Sequence, residues 1–241
     1  MAQLVGLIEG LLHGELHGKD LIRRESPPLS AAWLAWIVCV EGAIYGGCMA
    51  LYGWKWGAAY GAVHVLAVMI KVPTLFLLTL LVTCPSLYVF SALSGSTLRF
   101  GQTIRLLLAA TALTLTVLLS LGPVTVFFTF CTKSHPFMQL LNATLFTVAG
   151  LIGMRFVWKR LDEVFRDSPD GKGTTVVWRP ARRGRVLVLL GAWFVVYGVV
   201  AAQMGWLLRP FVGTPHLPQE IFRTTEGNIF QGLVDALRYL D

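Results

Sequence analysis

The sequence predicts an all-α, polytopic transmembrane helical bundle of five spans with interfacial amphipathic helices, and three observations carry that reading. Of 241 residues, 55% are hydrophobic and only 14% are charged, against about 25% charged in a typical soluble domain. The mean hydropathy is +0.66. Apolar runs of about 20 residues, enough for a helix rising 1.5 Å per residue to cross about 30 Å of hydrocarbon, recur along the chain.

Residues 1–30 form an amphipathic segment on the cytoplasmic face. Leu4, Leu7, Ile8, Leu11 and Leu12 recur at helical spacing, which suits a helix lying on the membrane. Glu9 and His13 interrupt any signal-peptide core, and no basic residues precede it. His13 and His17 share a helical face, but no third metal ligand is fixed beside them.

The bundle proper occupies 31–208, with spans at 31–52, 74–93, 104–131, 137–158 and 186–208. The stretch WKWGAAYGAVHVLAVMI (54–70) is short and holds Gly57, Gly61 and His64. Its Trp54, Trp56 and Tyr60 suit the headgroup region, so it reads as an interfacial helix, with a sixth span as the alternative. Lys71 then snorkels to headgroups, and Pro73 opens the next helix. Pro85 in the second span and Gly122-Pro123 in the third predict kinked or broken helices.

Five spans place fourteen of the twenty Lys and Arg residues on the side of the amino terminus. That side is the cytoplasmic one, so the carboxyl terminus lies outside. The basic inner loop 159–185 reads as a solvated loop that fixes this topology, with a docking surface for a cytoplasmic partner or acidic lipid as the alternative. A net charge of +7, concentrated in such loops, speaks for anionic headgroups rather than nucleic acid. The outer tail 209–241 begins as a proline-punctuated segment. It then carries a short apolar stripe of Ile229, Phe230, Leu233, Val234 and Leu237. Trp206 and Arg209 anchor its start at the interface, and pairing of Arg209 with Glu226 or Glu220 would fold it back over the bundle.

Glu41 is the sharpest chemical feature. It lies about ten residues into the first span, near mid-depth, where a charge costs several kcal/mol. Protonation or an interhelical hydrogen bond relieves that cost, and Asn142 and Gln203 are the best polar partners in other spans. A strut between helices and a proton or cation relay are both open readings. Gly42 and Gly46 form GxxxG on the same helix, so Glu41 borders a flat seam where another helix can pack, in this chain or a partner. Thr111, Thr114, Thr116 and Ser120 of the third span back-bond to their own helix or line a polar path.

Cys39, Cys48, Cys84 and Cys131 fall in no metal or redox spacing. Cys48 and Cys131 both approach the outer face, which leaves a bridge between them open. No nucleophile signature, phosphate loop, HExxH or paired-acid motif is present, and no cofactor is implied.

The stretch SALSGSTLRFGQTIRLLLAATALTLTVLLSLGPV (91–124) resembles the Yip-type (Ypt-interacting protein) multispanning family. The shared features are Gly95, Phe100, Gln102 and Gly122-Pro123. That resemblance implies five spans, a cytoplasmic amino terminus and a membrane-shaping or trafficking role. The whole chain also resembles bacterial multispanning proteins with a WxLRPFVG tail, here residues 206–213, which points to a bacterial inner membrane. The expected function is a non-enzymatic membrane subunit or scaffold that assembles with other membrane proteins or with itself. The alternative is a small oligomeric transporter or channel using Glu41.

Overall fold

The computed structural model describes residues 30–57, 61–93, 100–166 and 180–207. Five helices fill them: α1 (Ala31–Gly57), α2 (Gly61–Leu93), α3 (Phe100–Cys131), α4 (His135–Arg166) and α5 (Pro180–Leu207). No strand occurs among the described residues. Ser30 caps α1, its hydroxyl accepting the Trp33 N–H at 3.3 Å. Ser134 does the same for α4, accepting from Phe137 at 3.5 Å. Pro180 opens α5, where its missing N–H costs nothing.

Four helices are long and apolar enough to cross a membrane, through Ala31–Lys55, Ala62–Ser86, Thr103–Cys131 and His135–Phe156. In α5 the apolar part, Gly191–Gly205, is shorter. Large apolar side chains such as Trp36, Leu66, Ile70, Leu81, Phe127 and Leu151 point outward, as expected of helices solvated by lipid.

The second span differs from the sequence expectation. Residues 61–70 are neither a separate interfacial helix nor a sixth span. They are the first turns of α2, which runs unbroken through Pro73 and Pro85 for 33 residues. Lys71 consequently sits buried within the apolar window instead of reaching headgroups. Prolines survive in membrane helices when nearby hydroxyls and packing satisfy the disturbed backbone. Here Pro73 packs against Gly42 of α1. The Thr74 and Ser86 hydroxyls donate to the Ile70 and Thr83 carbonyls, each at 2.7 Å, close to the Met69 and Leu81 carbonyls that lose their N–H partners to the prolines. Likewise α3 continues past Pro123 to Cys131. Pro123 faces outward while Gly122 lies against the Cys48 sulfur, so the helix is not broken there.

Side-chain register fixes the helix directions. Along α1 and α2, Gly42 meets Pro73 and Gly46 meets Val68 and Met69, so these two run antiparallel. Between α1 and α3, the Glu41–Thr116 and Lys55–Phe130 bonds share a separation of 75 residues, the constant offset of parallel helices. On α4, Gly153 abuts Thr114 and Ala110, while Phe137 near its start packs on Phe128 at 5.2 Å. That makes α4 antiparallel to α3. Trp193 of α5 bonds Thr83 and Ser86, and Gly205 faces Leu75, so α5 runs against α2. Directions therefore alternate along the chain.

The core lies where α1, α2 and α3 meet, around Leu34, Val38, Tyr45, Val68, Val72, Leu115 and Leu118. Phe146 of α4 closes one side, edge-on to Tyr45 at 5.6 Å and stacked on Phe76 at 5.9 Å. Trp193 of α5 is fully buried. Its indole donates to the Thr83 carbonyl at 3.2 Å and contacts the Ser86 hydroxyl at 3.1 Å.

The α1–α2 approach gives a paired test. A Cβ at Gly46 would stand 2.7 Å from the Val68 carbonyl, whereas one at Gly47 would meet only the flexible Met69 side chain at 3.7 Å. Gly46→Ala should cost about 1–3 kcal/mol by overpacking, and Gly47→Ala should stay within about 0.5 kcal/mol. Thermal melting of the purified variants in detergent reads both.

Candidate functional site

The site grows out of the glycine seam. Because Gly42 and Gly46 carry no side chains, the α2 backbone closes to within 3.1 Å of where their Cβ atoms would be, or nearer. Such close approach is what GxxxG supplies between membrane helices. The helix that fills the seam is α2 of the same chain. The seam is therefore spent inside the bundle and offers nothing to a partner.

Glu41, next to Gly42, is turned toward α3 and is almost wholly buried. The Thr116 hydroxyl lies 2.8 Å from Glu41 Oε1, and the same hydroxyl lies 3.0 Å from the Ala112 carbonyl one turn back. Glu41 Oε2 is buried and makes no hydrogen bond. Thr116 thus supplies the interhelical partner, not Asn142 or Gln203. Counted from the first residues of their apolar windows, Ala31 and Thr103, Glu41 lies 10 residues in and Thr116 lies 13. Depth on two helices of like direction narrows the choice to Thr114 and Thr116, and the packing register then selects Thr116.

Asn142 has another use. It is buried on α4, where its Oδ1 accepts the Tyr45 hydroxyl at 3.1 Å and its amide donates to the Met138 carbonyl at 2.8 Å. It ties α4 to α1 one turn above Glu41. Gln203 is half-buried on α5, two residues before the Gly205 contact with α2. Trp206 belongs to the last turn of α5, and its side chain is not among those described. Arg209, Glu220 and Glu226 lie outside the described residues, as do the amino-terminal histidines, the tail stripe and most of the basic loop. The described start of that loop, to Arg166, continues α4 as helix.

Most buried hydroxyls are satisfied locally. Thr79, Thr83, Thr111, Thr114 and Thr129 each donate to the carbonyl four residues back at 2.7–2.9 Å. Ser120 donates three residues back at 2.6 Å. This is back-bonding, and two of the four hydroxyls singled out on α3 also reach another helix: Thr116 meets Glu41 of α1 and Thr111 meets Tyr197 of α5. Beyond these, the interior holds charged or titratable side chains that the sequence placed elsewhere. His64 and Lys71 of α2 and Arg105 of α3 are all buried. Glu41 is therefore not a lone polar intruder in an apolar core.

Cys39, Cys48, Cys84 and Cys131 are free thiols, so Cys48 and Cys131 are not bridged. Among the described residues no group of three His, Cys, Asp or Glu side chains could hold a metal ion. No protein-family model matches the chain, and neither the curated proteins nor the solved structures give a match.

Proposed function

We propose that this chain is a non-enzymatic integral membrane protein, a subunit or scaffold that joins other membrane proteins or further copies of itself through the outward face of α4. The supporting observation is how little of α4 the bundle uses. Only 22% of its apolar window is buried, against 67% for α3. The face left outside carries Ala143, Thr147 and Gly150, and a Cβ at Gly150 would meet nothing within 4 Å. The Thr144 and Thr147 hydroxyls are turned back to their own helix at 2.8 Å, leaving small, weakly polar surface. Small residues on an outer helical face let a neighbouring helix pack closely, which is how helices associate where lipid is as apolar as protein.

In this reading α5 is the fifth span, the amino terminus is cytoplasmic, and the membrane is a bacterial inner membrane. The basic loop 159–185 and the tail 209–241 supply contacts on the two faces. The Yip-type resemblance agrees with the span count and adds no activity.

A second reading, a small proton or cation transporter, is favoured by the bare Oε2 of Glu41 and by the buried His64, Lys71 and Arg105 in the same bundle.

For the first reading, the wild type should run on native gels as a complex, and replacing Ala143 and Gly150 together by Leu should leave only the monomer, with melting of the bundle unchanged. A complex of unaltered size would remove α4 as the docking face. For the second, Glu41→Gln in proteoliposomes should abolish ion flux. Undiminished flux would take Glu41 out of any path.

A further inference from the structure

The Thr116 hydroxyl faces two acceptors but has one hydrogen. Its oxygen lies 2.8 Å from Glu41 Oε1 and 3.0 Å from the Ala112 carbonyl. If Glu41 were a carboxylate, Thr116 would have to abandon one of them or split a single hydrogen between both. A carbonyl can only accept, so the Ala112 contact requires the Thr116 hydrogen. Both contacts reach full strength when Glu41 supplies a hydrogen of its own, instead of sharing the one on Thr116. A neutral carboxyl does this: its O–H donates to Thr116 Oγ1, and Thr116 donates onward to Ala112.

The second carboxyl oxygen agrees. Oε2 is buried and takes no hydrogen bond. A carboxylate carries charge on both oxygens, and leaving one unsolvated and unbonded in an apolar interior is costly. As the carbonyl oxygen of an un-ionised acid, it is far cheaper to leave bare. The buried titratable groups on α2 and α3, the helices packed against α1, are His64, Lys71 and Cys84 on α2 and Arg105 on α3. None of them donates a hydrogen bond to Oε2.

A metal cation fits this environment poorly. Hard cations such as magnesium and calcium collect at least six oxygen ligands. Here one hydroxyl already committed to Ala112 stands beside the carboxyl, and Pro73 is pressed against the neighbouring Gly42.

We propose that Glu41 is a proton-binding site, holding its proton in a fixed chain from Glu41 through the Thr116 hydroxyl to the Ala112 carbonyl. The proton stays on α1 and is shared with α3 as a hydrogen bond; its release leaves the single Thr116 hydrogen to serve both Glu41 Oε1 and the Ala112 carbonyl. Where the transporter reading holds, and only for that step does this inference rest on it, the ion handled at Glu41 is a proton.

Infrared difference spectra of the purified protein in lipid at neutral pH test this directly. Wild type minus Glu41→Gln should show the carbonyl stretch of a protonated carboxyl. Thr116→Val keeps the carboxyl but removes the hydroxyl, and should shift that band to higher frequency, while Thr116→Ser should leave it in place. Neither sodium nor potassium should move it. Carboxylate stretches in place of the acid band, or a band displaced by either cation, would overturn the proposal. So would a band indifferent to Thr116→Val, which also serves if the Gln variant does not fold. Proton flux into proteoliposomes is read separately: the acid band without flux removes the transporter reading alone.

Discussion

The close approach of α1 to α2 at Gly42 and Gly46 is the constraint on which the rest depends. A side chain at either glycine would meet α2 at 3.1 Å or less, the Pro73 ring and backbone in one case and the Val68 carbonyl in the other. With those two helices drawn together, the remaining face of α1 turns toward α3, and Glu41 comes level with Thr116. Tyr45, one turn on, then meets Asn142 of α4. A bilayer gives helices no hydrophobic reason to associate, so contact area and hydrogen bonds between them must carry the fold. This bundle uses both in the same place.

That arrangement changes what the buried acid means. In an isolated span, Glu41 would need a partner from outside to avoid the cost of a charge in lipid. Inside this bundle it is enclosed by its own chain, and the surfaces that face outward are apolar or small. In the proposed function the docking face is on the outside of α4, whereas Glu41 is buried between α1 and α3. Thr116 stands between the Glu41 carboxyl and the Ala112 carbonyl, and Lys71, His64 and Arg105 are also buried. Among the described residues, these side chains are held away from the outer surface of the bundle.

The helical class and the approximate positions of the first, third and fourth spans were legible because their signal is local: long apolar runs with few charges. The second span was misjudged because Lys71 and Pro73 look like a boundary when each is weighed alone. A helix can bury a lysine and carry a proline when other helices pack around it, and the packing of Gly42 on Pro73 joins residues distant in sequence. The glycine pair announced a close packing seam but not its occupant, since spacing on one helix says nothing about which helix lies opposite. Asn142 was recognised as an interhelical donor or acceptor but was paired with the wrong group. Its bond to Tyr45 depends on the antiparallel register of α4. Gly153, which packs flat on Thr114, carries the same small-residue signal as Gly42 and passed unremarked.

The central claim is that the small-residue face of α1 is closed by α2 of the same molecule. After replacement of the four native cysteines, Gly47→Cys and Met69→Cys put thiols at positions in side-chain contact. Mild oxidation of this double variant in membranes measures the claim. The account predicts a bridge within one chain, with the product at monomer mass and no link between copies that each carry a single cysteine. Efficient dimer formation between singly substituted copies, with no bridge inside the double variant, would contradict it.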